Sequence, residues 1–180
     1  MKKFVIAAAL AVLAAVSCTK ESREMMYSGQ EDKIQSFVDE QIKSNPDMKV
    51  VHNGGSVRLV LSEGEGTELT ARGKVEILYA GYDFSGGSIN SSKLFATNNY
   101  DFAMSSSWEL SDEEAYEPLT LDLTDDNIIE GLRAGLNGVR EREECYILFS
   151  GKYAFGKDKN GTIPANSPLA FRIWVTGIEN

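Results

Sequence analysis

The sequence has few of the residues that build metal sites, disulfides and nucleophilic active sites. Its 180 residues include two cysteines and one histidine, His52. No His, Cys or Asp at metal-ligand spacing accompanies His52, so we interpret it as a turn residue and expect no metal and no cofactor. The acidic clusters at 112–114 and 125–126 lack the EF-hand pattern and are interpreted as solvated surface.

Positive charge is also scarce. Lysine and arginine number 18 against 27 acidic residues, which gives a formal net charge of −9. Affinity for nucleic acid comes largely from lysine and arginine at phosphates, so this balance argues against a nucleic-acid partner. The longest apolar run, residues 4–16, has 13 residues. That is too short to span a bilayer and typical of a signal-peptide core.

The end of this apolar run is similar to a bacterial lipoprotein cleavage box. It reads Ala15-Val-Ser-Cys18, with small residues before a cysteine whose thiolate would accept the lipid. We therefore expect a signal peptide over residues 1–17, lipidation at Cys18 and a place in the bacterial cell envelope, on the periplasmic face or the outer membrane. An ordinary signal peptide and an uncleaved anchor helix are the alternatives. Cys145, in an apolar segment without a partner, is interpreted as a buried, inert thiol.

The next segments carry patterns of a tether, a helix and a hairpin. Residues 18–29 are mostly polar, which predicts a flexible tether. Residues 30–44 place Ile34, Phe37, Val38 and Ile42 at helical intervals, and Asn45-Pro46 ends the pattern. This helix packs either on its own domain or on a partner subunit. Two apolar segments then flank Asn53-Gly54-Gly55, a hairpin signal.

The remaining chain alternates between strand patterns and one helix pattern. Strands are predicted at 74–84, 119–123, 145–149 and 169–175. Between the second and third of these, Thr124 or Asp125 is placed to cap a helix that ends near Gly138. Residues 85–118 are predicted to form a long loop whose aromatic residues pack on the domain or on a ligand.

Five short segments in order carry a resemblance to a known family. They are Val75-Glu-Ile-Leu-Tyr-Ala-Gly81, Leu94-Phe95, Ile128-Ile-Glu-Gly-Leu132 with Gly135-Leu136, Tyr153-Ala-Phe-Gly156, and Ile163-Pro-Ala-Asn-Ser-Pro-Leu-Ala-Phe171. Together they resemble the FKBP-type peptidyl-prolyl cis-trans isomerases. The resemblance implies an α+β fold, an antiparallel half-barrel sheet wrapped around one short helix. We expect this domain at 57–180, preceded by a helix and hairpin arm at 30–56.

The resemblance also implies an activity and a pocket. The implied function is a peptidyl-prolyl cis-trans isomerase or folding helper for exported proteins, with proline-containing polypeptides as partners and a membrane anchor at Cys18. The family's catalytic positions fall on Tyr79, Phe95, Ile129, Phe155 and Phe171, and its other substrate-binding positions on Leu119, Ile128, Leu132 and Ile163.

Several pocket positions depart from the family. Ala96 stands where the family has an aspartate, Leu132 where it has a tryptophan, Phe155 where it has a tyrosine and Leu119 where it has a phenylalanine. These departures keep the pocket apolar but remove polar contacts and ring area. The alternative is therefore a weakly active or inactive lipoprotein that binds a protein partner. The sequence leaves the oligomeric state open.

The cleavage box leads to a testable prediction. Mass spectrometry of the native protein should find a mature chain that begins at an acylated Cys18, and Cys18→Ala should release the protein from membranes. A mature chain that begins elsewhere, or a Cys18→Ala protein that stays in the membrane fraction, would contradict the prediction.

Overall fold

The computed structural model describes residues 2–106, 108–109 and 113–180, with side chains described for 20–106, 108–109 and 115–180. The helices are α1 (Lys2–Ser44), α2 (Tyr100–Ser105) and α3 (Glu130–Leu136). The strands are β1 (Val50–Asn53), β2 (Ser56–Ser62), β3 (Lys74–Asp83), β4 (Leu94–Thr97), β5 (Leu119–Asp122), β6 (Glu144–Phe149) and β7 (Leu169–Glu179). The predicted strands are thus present, with small shifts at their ends.

In the described part of the chain, the seven strands form one antiparallel sheet: six follow the order β1-β2-β6-β7-β3-β4, and β5 pairs with β3 off that path. β5 pairs with the first half of β3, from Lys74 to Ile77, while β4 pairs with its second half, from Ala80 to Tyr82. Helix α3 lies against one face of the sheet. This arrangement confirms the expected α+β fold, an antiparallel sheet around one short helix with an N-terminal helical extension.

Each face of the sheet has its own apolar core. The inner face packs against α3 and includes Ile77, Leu136, Ile147, Phe171 and Ile173. The outer face has a second core, in which Ile34 and Val38 of α1 cover side chains of the central strands. Alternation along β7 explains the division, because Phe171 and Ile173 belong to the inner core while Ala170 and Trp174 belong to the outer one.

Helix α1 differs from the sequence expectation. Residues 20–29, expected to form a flexible tether, are helical and continue into the amphipathic segment. The reason lies in a contact with a distant loop: the Tyr27 side chain is 5% exposed, and its hydroxyl donates to Asn166 Oδ1 at 2.7 Å. The predicted amphipathic segment packs on its own domain through Ile34 and Val38, the first of the two possibilities.

The start of α3 also differs. The apolar spacing predicted a helix from Thr124 or Asp125, but α3 begins at Glu130, and Ile129 precedes it without a side-chain cap. The polar side chains cap local turns instead. Asp122 Oδ1 accepts from the Thr124 backbone N–H at 2.9 Å, and Asp125 Oδ1 accepts from the Asn127 backbone N–H at 2.9 Å. The predicted end is confirmed, since Gly138 has φ 82°.

The β1–β2 hairpin forms as predicted and holds α3 in place. Gly54 and Gly55 occupy its turn with positive φ. Asn53 Nδ2 donates to the Ala134 carbonyl at 3.0 Å, and Ser56 Oγ donates to the Gly131 carbonyl at 2.5 Å. The Arg58 guanidinium donates to the last carbonyls of the helix and its exit, those of Gly135, Asn137 and Gly138. The hairpin arm therefore belongs physically to the domain.

Arg58 is also half of a buried ion pair. Its Nε lies 3.2 Å from Glu143 Oε1, and both side chains are 4% exposed. Burial raises the pKa of the Glu143 carboxyl, and the Arg58 charge opposes that rise. Next to this pair, Cys145 is buried as expected, and burial raises the pKa of its thiol.

The predicted long loop at 85–118 contains β4 and α2, and α2 packs on the outer face of the sheet. The Phe102 ring of α2 lies 5.7 Å from the Trp174 ring and 6.5 Å from the Tyr82 ring, measured between centroids. Phe102 thus packs on its own domain, which is one of the two expectations for the aromatic residues of this segment.

Cys18, the predicted lipid site, lies outside the residues whose side chains the structure describes. Within the described residues, no helix is both long enough and apolar enough to cross a membrane.

The Arg58 contacts predict a large stability effect. Arg58→Met should lower the free energy of unfolding by about 3–5 kcal/mol. It leaves the buried Glu143 carboxylate without its ion-pair partner and removes three N–H donors from the carbonyls at the end of α3. Chemical denaturation measures this loss. The matched control is Arg142→Met, whose ion pair with Glu65 is 72% and 77% exposed and should contribute almost nothing. Equal losses in both variants would contradict the role given to Arg58.

The same variant should change the pH dependence of stability. A raised folded-state pKa means that the folded protein binds a proton more tightly than the unfolded chain, so stability falls as pH rises from about 4.3 through the folded value. Removing Arg58 raises the pKa of Glu143 further. Arg58→Met should therefore lose additional stability over a wider pH range above about 4.3.

Candidate functional site

The candidate site is a cluster of aromatic rings on the inner face of the sheet, beside the start of α3. Its centre is Phe171 of β7, a buried ring. The centroids of the Phe95, Phe149 and Tyr79 rings lie 5.9, 6.0 and 6.2 Å from that of Phe171. These separations are those of packed aromatic pairs. Three sequence-predicted residues, Tyr79, Phe95 and Phe171, are therefore brought together.

A β-bulge directs Phe95 into the cluster. Between β3 and β4, Gly81 pairs with Ala96 and Tyr82 pairs with Leu94, so Phe95 is an extra residue on its strand. A bulge of this kind re-aims a side chain. Gly81 makes room for the ring: a Cβ at this glycine would lie 2.7 Å from Phe95 Cζ and 3.0 Å from Phe171 Cε1. Gly81 is thus a structural part of the site.

Tyr79 is fixed through its backbone by a buried asparagine. Asn98 Oδ1 accepts from the Tyr79 N–H at 2.6 Å, while Asn98 Nδ2 donates to the carbonyls of Ile77 and Glu117. The ring of Tyr79 is partly buried against the inner core. Burial raises the pKa of its phenol, so the hydroxyl keeps its proton at neutral pH. Tyr79 therefore brings a hydroxyl donor to a mostly apolar cluster.

One wall of the site comes from residues 150–168, which we call the wall loop. It begins after β6, includes a short 3-10 helix at Gly151–Tyr153 and ends before β7. Ile163 is buried in the inner core, and Tyr153 and Phe155 pack against that core with part of their surface exposed. The wall loop thus brings two sequence-predicted residues, Phe155 and Ile163, to the core that contains Phe171.

The segment around α3 supplies the floor. Leu132 is 7% exposed within the inner core, and Ile128 and Ile129 pack against the same core from just before the helix. Two glycines bring α3 close to the sheet, since a Cβ at Gly131 would lie 2.3 Å from the Phe149 ring. At Gly135 the corresponding distance to Ile147 Cγ2 is also 2.3 Å.

Leu119 lies at the edge of this arrangement. It pairs with Ile77, an inner-face residue, and is therefore on the inner face of the sheet. Leu119 is 41% exposed. Of the nine predicted pocket residues, Leu119 is thus the one that the structure places at the rim.

Sequence reasoning missed four residues that build the site. Phe149 stacks on Phe171 with an interplanar angle of 17°, Tyr153 packs on the inner core, Asn98 holds Tyr79, and Gly81 admits the rings. Strand alternation in β6 could have indicated Phe149. The contact of Asn98 depends on a loop whose path the sequence does not show.

Cavities also lie elsewhere on the surface, away from the ring cluster. One of about 380 Å³ lies between α1 and the hairpin, where Glu31, His52 and Tyr153 are among its lining residues. Ile34, Val57 and Tyr153 supply its apolar lining. The ring cluster is the better candidate site, because several convergent aromatic side chains there can enclose a small apolar group beside one hydroxyl donor.

Within the described residues, no group of three or more His, Cys, Asp or Glu side chains is arranged to hold a metal ion.

Comparison with known proteins links this geometry to a family. The family model of the FKBP-type peptidyl-prolyl cis-trans isomerases matches residues 66–176. A search of curated proteins gives no match. Among solved structures, Escherichia coli FkpA is 22% identical with a TM-score of 0.57, over 97% of this chain and 71% of that chain.

Two further structures are similar in fold. A peptidyl-prolyl cis-trans isomerase from Pseudomonas syringae pv. tomato is 19% identical with a TM-score of 0.58, over 87% of this chain and 96% of that one. The N-terminal domain of FKBP42 from Arabidopsis thaliana is 15% identical with a TM-score of 0.54, over 74% of this chain and 94% of that one. At these identities the structures share the fold.

The close approach at Gly81 gives a testable prediction. Gly81→Ala should lower the free energy of unfolding by about 1–3 kcal/mol, because the added methyl overlaps the Phe95 and Phe171 rings. Thermal unfolding measures the loss, and near-ultraviolet circular dichroism reports the displaced rings. Gly86→Ala is the control, since a Cβ there has no neighbour within 4 Å. Similar losses at both positions would show that the rings do not need Gly81.

Proposed function

Because the chain belongs to the family of FKBP-type peptidyl-prolyl cis-trans isomerases, we propose that it catalyses rotation about X-Pro bonds in polypeptides of the bacterial cell envelope. The ring cluster around Phe171 is the observation that carries this proposal. Tyr79, Phe95 and Phe171 stand together there, at the positions where the family resemblance implies the catalytic site.

The chemistry requires an apolar site more than a reactive group. Rotation about a peptide bond crosses a barrier of about 20 kcal/mol, set by amide resonance. Water stabilises the polarised planar amide, so transfer of the prolyl bond into an aromatic cavity favours the twisted, less polar transition state. A donor at the prolyl carbonyl would lower the barrier further.

In this proposal the residues have distinct roles. Phe171 and Phe95 contact the prolyl ring and exclude water, and Ile129 and Phe155 close the sides. Tyr79 supplies the hydroxyl donor, which its raised pKa keeps protonated. Leu132, Ile128 and Ile163 form the apolar floor and wall on which the ring rests. Leu119, at the exposed rim, contacts a residue next to the proline.

The departures from the family lower the expected rate. Leu132 gives a floor without an indole, and Phe155 brings no hydroxyl. Ala96 pairs with Gly81 and shares its face of the sheet, so it lies beside the rings. It brings a methyl group to this position, where the family has the polar carboxylate of an aspartate. We therefore expect a weak isomerase that still binds proline peptides.

Those same departures favour a second candidate function. A pocket that keeps its apolar surface but loses its polar contacts can bind a proline-containing segment of a partner protein without accelerating isomerisation. In that case the chain is a peptide-binding member of the family.

The proposed location follows from the cleavage box that ends in Cys18. A lipid at Cys18 would hold the domain at the envelope membrane, where exported chains fold. Proline isomerisation takes tens of seconds without a catalyst, so it can limit the folding of exported chains. A folding helper at the envelope membrane would speed that step.

A proline-limited refolding assay with the full chain tests the proposal. The wild type should accelerate the slow phase, and Phe171→Leu should lower kcat/KM about tenfold or more, equivalent to about 1.4 kcal/mol of transition-state stabilisation. The matched control is Phe102→Leu, because Phe102 packs on the outer face of the sheet.

The outcomes separate the two candidates. Acceleration by the wild type that Phe171→Leu removes supports the isomerase. No acceleration, together with binding of a proline peptide that Phe171→Leu abolishes, supports the peptide-binding function. A wild type that neither accelerates refolding nor binds the peptide overturns both.

A further inference from the structure

We infer that Tyr27 and Gln30 of α1 are positioning residues for the prolyl pocket: they hold the wall loop in the conformation that presents Phe155 and Ile163 to the substrate. This inference rests on the proposed function of the pocket. It gives the N-terminal helix a part in substrate binding, although the helix lies on the opposite face of the sheet.

The wall loop turns back on itself at Asn166. This residue has φ 60°, a left-handed conformation that asparagine tolerates better than most residues. Its N–H donates to the Gly156 carbonyl at 2.5 Å, which joins the two ends of the segment that carries Ile163. Its carbonyl also lies against Gly151, where a Cβ would be 2.2 Å from the oxygen. The shape of the loop therefore depends on the position of Asn166.

Helix α1 fixes Asn166 from outside the loop. The Gln30 side chain joins both ends of the loop: Nε2 donates to the Asn166 carbonyl at 2.7 Å, and Oε1 accepts from the Gly151 N–H at 2.8 Å. The buried Tyr27 hydroxyl donates to Asn166 Oδ1 at 2.7 Å. Two side chains one helical turn apart thus satisfy three polar groups of the wall loop.

Neighbouring contacts strengthen the attachment. Ser150 Oγ donates to Glu31 Oε1 at 3.1 Å, at the beginning of the loop. Lys152 lies 3.8 Å from Glu24 in a more exposed pair, which contributes little. Ile34 and Val38, further along the helix, are buried in the outer core and hold α1 to the sheet. The outer core therefore supplies the rigid support against which Tyr27 and Gln30 act.

The consequence for binding follows from the loop's own residues. Phe155 immediately precedes Gly156, whose carbonyl accepts from Asn166, and Ile163 is three residues before Asn166. If Asn166 moves, both side chains lose their position against the inner core. The loss should appear in substrate affinity, because these residues contact the substrate and the catalytic rings of the sheet stay in place.

The experiment compares Gln30→Ala and Tyr27→Phe with Gln35→Ala in the full chain. Gln35 is the matched control, because it is exposed on the same helix and its side chain donates to Asp39 one turn on. Gln30→Glu is the conservative variant: it keeps an acceptor for the Gly151 N–H and loses the donor to Asn166. Two quantities are measured, the kinetic constants for a proline tetrapeptide and the hydrogen exchange of loop amides.

Exchange is read at Gly156, Ile163 and Asn166, whose N–H groups bond within the loop and not to α1. Gln30→Ala removes two hydrogen bonds. It should speed exchange there and raise KM about threefold to tenfold with a smaller change in kcat, an effect within the range expected for that loss. Tyr27→Phe should show a smaller change in the same direction. Gln30→Glu should not restore the wild-type values, because its carboxylate faces the Asn166 carbonyl without a donor. Gln35→Ala should leave both quantities at the wild-type values.

The results distinguish this inference from the proposed function. Unchanged exchange in Gln30→Ala, or faster exchange with an unchanged KM, overturns the positioning role while the isomerase assignment stands. An equal fall in stability and activity for Gln30→Ala and Gln35→Ala also overturns it. A wild type without activity and without peptide binding overturns the proposed function, and the inference with it.

Discussion

The arrangement of the domain depends on one buried guanidinium. Arg58 of β2 donates to the carbonyls of Gly135, Asn137 and Gly138 and pairs with Glu143. Helix α3 has seven residues and no side-chain N-cap, so it is too short to be stable by propensity alone. The carbonyls at its end would be buried without donors if Arg58 were absent. Contacts from the sheet thus stabilise α3, and the hydrogen bonds of Arg58 are the main contacts between the two.

The position of α3 determines how closely the helix and the sheet pack in the inner core. Gly131 and Gly135 allow the helix backbone to approach the rings and side chains of β6, and Phe149 is thereby pressed flat against Phe171. On the other side, Gly81 and the bulge at Phe95 bring a third ring to Phe171. The ring cluster is therefore a product of close backbone approach on two sides. A side chain at any of these glycines would overlap Phe149, Ile147 or the rings of Phe95 and Phe171.

The sequence predicted the elements that depend on local alternation and turn residues. It did not predict the features that depend on contacts between distant parts of the chain. Strands β3, β6 and β7 and the hairpin at Gly54 were predictable from local pattern. The start of α3 was not, because Ile128 and Ile129 have helical spacing but pack from an irregular segment. The tether prediction was made on polar composition, yet Tyr27 is buried by Asn166, 139 residues away. Arg58 was unnoticed for the same reason: its partners come from α3 and β6.

The two faces of the sheet also determine which segments of the chain reach the ring cluster. Within the segment at 85–118, Phe95 of β4 belongs to the ring cluster, whereas Phe102 of α2 packs on the outer face beside Trp174. Arg172, paired with Glu144, lies 4.8 Å from the centroid of the Trp174 ring. That packing directs α2 away from the ring cluster and leaves Leu119 exposed at the rim. The wall loop is different, because its residues contribute to the inner core while its backbone is bonded to α1. A change at the N-terminal helix therefore has a direct physical route to the candidate site, through Asn166.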